Sequence, residues 1–202
     1  MDHGRIIGVF GGCHHDGGLI GNSIMVFTTW PWRWLMPMKV STHSSVGFIY
    51  QDGYREIFEA REGKSWQGPI PVSKVQAWVS RDPKRRRFTM YDIPSDIIDP
   101  GTAAMRYNFC MRMLGVWTYS TIQLPRMGLR KYLPFLPLNT THNEVVCSEA
   151  ATIVLDPPCH ILCIAGVRNP DRVTPWLFEL AMKEICAKER KKAQAASAAY
   201  ED

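Results

Sequence analysis

The sequence lacks several features that would assign it to a familiar class. Its apolar stretches are interrupted by glycine, proline or charged residues well before the roughly 18 residues that a membrane-spanning helix needs. The first residues lack the basic start, apolar run and small-residue cleavage site of a secretory signal peptide. No internal repeat is present. We therefore expect no membrane span and synthesis in the cytoplasm.

The excess of one sign of charge over the other is also small. The formal net charge is +5, from 24 basic and 19 acidic residues among 202. Much of the excess lies in Lys84 to Arg87 and in Lys188 to Lys192, which we interpret as a solvated loop and a solvated helix end. The Lys84 to Arg87 cluster lacks the recognised folds and interleaved aromatic residues of a nucleic-acid-binding module. The sequence therefore predicts no nucleic-acid partner.

Cofactor-binding patterns are missing as well. The glycine-rich segment 8–12 lacks the spacing of a dinucleotide-binding loop. Two clusters, Cys13-His14-His15 and Cys159-His160-Ile-Leu-Cys163, contain metal-ligand residue types. Their spacing matches no familiar zinc finger or ribbon, and adjacent histidines cannot easily point at one ion. We predict no metal and no organic cofactor, and keep a zinc-stabilised interaction protein as a third alternative.

The residues that are abundant indicate one folded domain. Hydrophobic residues make up 46% of the chain and charged residues 21%, which is ordinary for a globular protein. The length suits one domain better than two. We predict a single α+β domain over residues 1–187 and a charged, alanine-rich tail over 188–202. The six cysteines are expected to be mostly reduced.

Short apolar segments between turn residues predict a sheet. The predicted strands are 5–10, 22–29, 43–50, 54–60, 75–80 and 87–93, with a Gly- and His-rich loop over 13–21. Residues 101–114 predict a helix after Pro100 and before Gly115. Further helices are predicted from residue 118, over 147–155, and after Thr174-Pro175, whereas 159–167 is apolar without a clear type.

The clearest local unit is a hairpin around Asp52-Gly53, a strong turn signal between alternating strands. A two-residue loop sets His43 opposite Glu62. A three-residue loop, with the glycine in a left-handed conformation, sets Ser45 opposite Glu59 and leaves His43 and Glu59 on one face. Since a one-residue slip moves a whole set of side chains to the other face, the register decides which carboxylate reaches His43. The sequence leaves both registers open.

Thiol chemistry points to Cys147. A thiol attacks only as the thiolate, which a neighbouring imidazole and a helix N-terminus both stabilise. Cys147 begins a predicted helix, and His43 begins a predicted strand far upstream. The residue types and spacing alone favour structural roles, in which Cys147 is a small buried apolar residue and His43 an edge-strand histidine with its hydrogen bonds satisfied.

A resemblance favours the catalytic interpretation. Short motifs spread over roughly residues 20–180 resemble those of circularly permuted NlpC-type, papain-like cysteine hydrolases, which include YiiX-like, lecithin:retinol-acyltransferase-like and related phage proteins. The motifs are the first strand at 21–26, the His43 to Ala60 unit, the Gly115 to Ser120 segment, Val146-Cys147-Ser148-Glu149 and Thr174-Pro175-Trp-Leu. Cys-Ser-Glu is the most specific of them, and His before Cys is the permuted order.

The resemblance implies a permuted papain-like fold, with a barrel-like antiparallel sheet packed against a few helices. It implies Cys147 as nucleophile, His43 as base and Glu59 as the residue that orients His43. The substrate would be a peptide, a peptidoglycan peptide or another amide, or secondarily a lipid acyl ester, cleaved through a thioester. Peptidase, amidase, thioesterase and acyltransferase remain unseparated, and the oligomeric state is not predicted. Location in a virion or release by lysis is compatible with the phage relatives.

Three further residues are candidates for substrate binding or for support of the catalytic residues. Glu149 either contributes to the site or interacts with the helix dipole in the first turn. Tyr119 either lines the cleft or packs in the core, and packing is favoured. Ser148 is included as part of the Cys-Ser-Glu motif.

Two departures from the family pattern support an alternative. Ser44 and Ser45 separate His43 from the Val-Gly pair, which calls for a bulge or a different strand entry, and Ser120 replaces an aspartate. The alternative function is therefore a catalytically inactive papain-like fold that serves as a binding module or a phage structural module.

Overall fold

The computed structural model describes residues 3–17, 41–61, 65–120 and 144–198, with side chains through Lys188. Five strands form the main sheet: β1 Ile6–Asp16, β2 His43–Tyr50, β3 Arg55–Ala60, β4 Trp66–Pro71 and β5 Arg86–Asp92. The described residues contain five α-helices, namely α1 Val72–Ser80, α2 Pro100–Met113, α3 Cys147–Leu155, α4 Ile161–Ile164 and α5 Pro175–Ala198. A parallel pair joins β6 Thr118–Tyr119 to β7 Glu144–Val145.

The main sheet is antiparallel, with strand order β4-β3-β2-β1-β5. The predicted hairpin is confirmed as β2 and β3, and it has the three-residue loop. The amide of Tyr50 donates to the carbonyl of Tyr54 at 2.9 Å, and Gly53 has a φ of +85°, a left-handed conformation that glycine adopts without steric cost. In this register Ser45 lies opposite Glu59.

Strand β1 is longer than predicted. The predicted loop over 13–21 is wrong for Cys13 to Asp16, which continue the strand between β2 and β5. The glycine pair inside it allows close packing rather than a turn: a Cβ on Gly12 would lie 2.2 Å from the hydroxyl oxygen of Ser45. The strand predicted over 22–29 lies outside the described residues.

Helix α1 corrects a second prediction. Residues 75–80 were expected to form a strand because of their β-branched and aromatic residues, but Val72 to Ser80 form a helix. Val72 and Val75, three residues apart, share one helix face, and they pack with Phe10 and Ile57 in a buried cluster. The burial of two apolar side chains on one helix face therefore outweighs the local preference of these residues for a strand.

Within the described residues, the remaining helix and strand predictions are confirmed except at residue 118. Strand β5 and helices α2, α3 and α5 lie within a few residues of their predicted positions. The predicted helix from Thr118 is wrong for its first two residues, which form β6, and the rest of it lies outside the described residues. The apolar segment of uncertain type contains the short helix α4. The backbone of the predicted tail is helical through Ala198.

Two apolar clusters cover the two faces of the sheet. Val46, Phe48 and Phe58 belong to the larger cluster, which also takes residues from α2, α3 and α5. Phe10 and Ile57 belong to the smaller cluster with α1. The fold is thus α+β, with α3 packed against β2 and β3. Among the described residues, no helix combines the length and apolar character needed to cross a bilayer.

Candidate active site

The hairpin brings His43 and Glu59 together. His43 begins β2, and Glu59 lies on β3 opposite Ser45, two residues from His43 and therefore on the same face. The Nε2 atom of His43 is 2.9 Å from Oε2 of Glu59. The Glu59 side chain is 1% exposed and that of His43 19%. This pair is the one expected for the three-residue loop, one of the two registers that the sequence leaves open, and β2 accommodates Ser44 and Ser45 in regular pairing with β1. Glu62 lies outside the described residues.

The second carboxylate oxygen of Glu59 is also held. Arg61 lies two residues further along the chain, and its Nε is 2.7 Å from Oε1 of Glu59. Burial acts to raise the pKa of Glu59, but the hydrogen bond and charge of His43, with smaller contributions from His14 and Arg61, lower it to about 2. Glu59 is therefore a carboxylate at neutral pH. Arg61 is not among the predicted site residues, although its i, i+2 spacing from Glu59 puts the two on one face of a strand.

His43 also reaches the predicted nucleophile. The imidazole interacts electrostatically with Cys147 as well as with Glu59. Burial disfavours the charged imidazole, yet the charge and hydrogen bonds of Cys147 and Glu59 outweigh burial and raise the pKa of His43 to about 10. Since Nε2 contacts Glu59, Nδ1 is the nitrogen left for the thiol. The three residues thus form the array Cys147–His43–Glu59, with His43 protonated at neutral pH.

The nucleophile candidate lies in the first turn of α3. Cys147 is 1% exposed and follows Val146, whose side chain has no group to cap the helix. Glu149 accepts a hydrogen bond from the Val146 amide at 3.2 Å. Amides of a first helical turn have no intrahelical acceptor, and their positive end favours a thiolate. Glu149 thus helps to form the helix start that positions Cys147.

The other two candidates have structural contacts. The Ser148 hydroxyl is buried and donates to the carbonyl of Val173 at 2.5 Å, which ties α3 to the segment before α5. Tyr119 pairs with Val145 in the parallel β6–β7 pair and packs against the main core. Both residues therefore support the chain around Cys147, as the packing interpretation of Tyr119 predicted. Ser120, the residue in place of an aspartate, hydrogen-bonds Glu144 at 3.2 Å.

A buried carboxylate on α5 fixes the entry to β2. Glu179 is 2% exposed, and its Oε2 accepts from the amide of Ser41 at 2.9 Å. Its Oε1 lies 3.0 Å from Arg87 and 3.0 Å from Lys183. The Ser41 hydroxyl in turn donates to the carbonyl of His43 at 2.8 Å. Helix α5 thereby anchors the backbone that carries His43.

His14 was predicted to lie in a loop and was a candidate only as a zinc ligand together with its neighbours. His14 lies on β1 directly opposite His43 and is 2% exposed. Its Nε2 is 3.0 Å from the hydroxyl of Ser45 and 3.7 Å from Oε2 of Glu59. Burial, the largest effect, lowers the pKa of His14 to about 3, so the ring is neutral at neutral pH.

The metal-ligand types that come together differ from those considered in the sequence. Within the described part of the chain, His14, His43 and Glu59 place their ligand atoms within 4.8 Å of one another. Neither Cys13 nor Cys159 belongs to this group, and both are buried free thiols. The zinc constellation built on those cysteines is therefore absent from the described residues.

The site as a whole joins a helix-borne thiol, a strand-borne imidazole and a buried carboxylate, an arrangement that can activate a nucleophile. Comparison of the chain with family models, with curated proteins and with solved structures finds no match.

Proposed function

We propose that the chain is a cysteine hydrolase that cleaves an amide or ester bond through a thioester intermediate. The observation that carries the proposal is the array Cys147–His43–Glu59, in which His43 lies 2.9 Å from Glu59 and its pKa is raised by both Cys147 and Glu59. Three groups from a helix and two strands converge, and each has the chemistry that its role requires. The motif order, His43 before Cys147, is that of the permuted papain-like fold, which we propose for this chain.

The first half of the reaction forms the thioester. The Cys147 thiolate attacks the carbonyl carbon of the substrate, and the carbonyl oxygen becomes an oxyanion. The Cys147 amide, at the start of α3, is placed to donate a hydrogen bond to that oxygen. The His43 imidazolium gives its proton to the leaving amine or alcohol as the carbon–heteroatom bond breaks. Glu59 accepts from Nε2 throughout, which keeps Nδ1 directed at the reacting atoms.

The second half releases the acid. Neutral His43 takes a proton from water, and the resulting hydroxide attacks the thioester carbonyl. The carbon–sulfur bond breaks, Cys147 leaves as the thiolate, and the imidazolium–thiolate pair is restored. The substrate class inferred from the family resemblance is a peptidoglycan peptide or another amide first, and a lipid acyl ester second.

Acylation by a small activated ester tests the proposal. The protein is mixed with p-nitrophenyl acetate, and the acetylated peptide is located by mass spectrometry. We expect one acetyl group on Cys147, with a rapid initial release of p-nitrophenol, and no such phase in Cys147→Ala. The matched control is Cys163→Ala, which removes an exposed thiol on α4 and should leave the initial phase unchanged.

The proposal would be rejected if acetylation depended only on how exposed each thiol is. If Cys163 carries the acetyl group and Cys147 does not, the array is not a working nucleophile. The alternative, an inactive papain-like fold that acts as a binding or phage structural module, would then replace the enzyme.

A further inference from the structure

The cluster of His14, His43 and Glu59 has the composition and spacing of a metal site. One ligand comes from each of three neighbouring strands, β1, β2 and β3. The Oε2 atom of Glu59 lies 2.9 Å from Nε2 of His43 and 3.7 Å from Nε2 of His14. Two ligands of a tetrahedral zinc ion, with bonds of about 2.0–2.1 Å, lie roughly 3.3 Å apart. The observed separations lie on either side of that value, so small side-chain movements suffice.

The surroundings hold these ligands in place. Arg61 binds Oε1 of Glu59 at 2.7 Å, which leaves Oε2 as the oxygen facing both imidazoles. The ring of Phe88, on β5, has its centroid 4.6 Å from that of His14. Contacts of this kind orient metal ligands and raise affinity. Since the ligands stand on paired strands rather than on loops, their relative positions are fixed by the sheet.

His14 can also free a lone pair for a metal. Its Nε2 contacts the Ser45 hydroxyl at 3.0 Å, and that hydroxyl has a second acceptor, the carbonyl of Gly12, at 3.4 Å. A hydroxyl can donate or accept, so Ser45 can bond to Gly12 when His14 turns to a cation. The Nδ1 atom of His14 has no hydrogen-bond partner among the described residues. Among the described residues, no neighbour therefore depends on the His14 ring for its hydrogen bond, and the His14 backbone carbonyl can keep accepting from Ser41 and Thr42 when the ring turns.

We propose that His14, His43 and Glu59 bind a divalent transition-metal ion, with Zn²⁺ the best fit, in place of the His43–Glu59 hydrogen bond. Two imidazoles and one carboxylate are a ligand set that zinc uses with a fourth, open position. Magnesium and calcium favour six or more oxygen ligands and do not suit two imidazoles.

The consequence for activity rests on the proposed function. A bound metal occupies the imidazole that Cys147 needs, so the ion acts as a reversible inhibitor of thioester formation. His14 then makes the nucleophile array sensitive to transition metals, although it takes no part in the acyl transfer itself.

The test is a zinc titration of the full chain after removal of metals with a chelator. Isothermal calorimetry should give one Zn²⁺ per chain for the wild type and no comparable binding of Mg²⁺. In His14→Gln the affinity should fall by at least about 100-fold, more than the loss expected for a supporting residue. The matched control is His15→Gln, a buried histidine next in sequence whose side chain points to the opposite face of β1. Its affinity should equal that of the wild type.

A measurement on the wild type guards against misfolding of the variant. Histidine-selective ¹⁵N labelling gives signals from six histidines, and Zn²⁺ should shift the ring nitrogens of His14 and His43 only. Shifts confined to other histidines, or equal affinities in wild type and His14→Gln, would overturn the site.

Acetylation of Cys147 by p-nitrophenyl acetate separates the two proposals. Zinc at a saturating level should abolish it in the wild type and leave it in His14→Gln far less affected. If zinc binds at His14 and His43 but Cys147 is never acetylated, the metal-site proposal is supported and the hydrolase proposal is rejected. If Cys147 is acetylated at the same rate with the site saturated, the inhibitory role is wrong.

Discussion

Replacing Glu59 with glutamine isolates the role of the buried carboxylate. The substitution keeps the size of the side chain and removes its charge. Lowering the pKa of Glu59 from 4.5 to about 2 corresponds, at about 1.4 kcal/mol for each pKa step, to roughly 3 kcal/mol of stability at pH 7 as an upper value. Loss of a hydrogen bond to a charged partner is worth about 1.5–3 kcal/mol by itself. We expect Glu59→Gln to lower the free energy of unfolding by about 2–3 kcal/mol.

The sign of the pH dependence follows from the lowered pKa. A carboxylate whose folded pKa is depressed contributes stability above its unfolded value, and that contribution is lost as the pH falls through the folded value. The difference between wild type and Glu59→Gln should therefore be complete near pH 7 and shrink between pH 4.5 and about 2. This difference in the free energy of unfolding is measured by urea unfolding at pH 7 and at pH 3, with tryptophan fluorescence as the signal.

A second buried carboxylate on the same strand provides the control. Glu56 is 5% exposed and accepts from the hydroxyl of Tyr50 at 2.6 Å, away from His43. Glu56→Gln should cost stability without changing the rate at which iodoacetamide alkylates Cys147, whereas Glu59→Gln should slow that alkylation. Equal alkylation rates in the two variants, or no loss of stability in Glu59→Gln, would refute the reasoning.

Two further substitutions test the scaffold around the site. Glu179→Gln should lower the free energy of unfolding by about 1.5–3 kcal/mol, because it removes the charge of a buried carboxylate that accepts hydrogen bonds from Arg87 and from the Ser41 amide. It should also slow acetylation of Cys147, because Ser41 loses its charged acceptor. Urea unfolding and the ester assay measure the two effects. Gly47→Ala would place a Cβ 2.0 Å from the ring of Phe10. The resulting overpacking should lower the free energy of unfolding, measured with urea, by about 1–3 kcal/mol. An unchanged urea midpoint would contradict the packing described for that face of the sheet.

Local signals made part of the fold predictable. Asp-Gly between alternating strands located the hairpin, and Pro100 together with Thr174-Pro175 marked the two helix starts correctly. The register was left open because it depends on whether Gly53 adopts a positive φ, which no sequence pattern specifies. Once that conformation is known, the position of Glu59 beside His43 follows from the alternation of the strand.

Tertiary contacts decided the parts that were missed. Gly11-Gly12 were interpreted as a strand end, but in the sheet they allow Ser45 and the side chains of α5 to approach closely. That error placed His14 in a loop and hid its position opposite His43. Helix α1 was missed because its β-branched residues favour strands locally, and only the burial of Val72 and Val75 explains the helix.

The most direct test of the nucleophile–base pair is the alkylation of each of the six cysteines by iodoacetamide at pH 7 in the wild type and in His43→Ala. Burial raises the pKa of Cys13 and Cys110, which should leave both inert, and Cys163 is the exposed thiol. We predict that Cys147, although 1% exposed, reacts fastest in the wild type and loses this advantage in His43→Ala. If Cys163 reacts fastest and Cys147 is inert, or if Cys147 is unaffected by the loss of His43, the central claim is wrong.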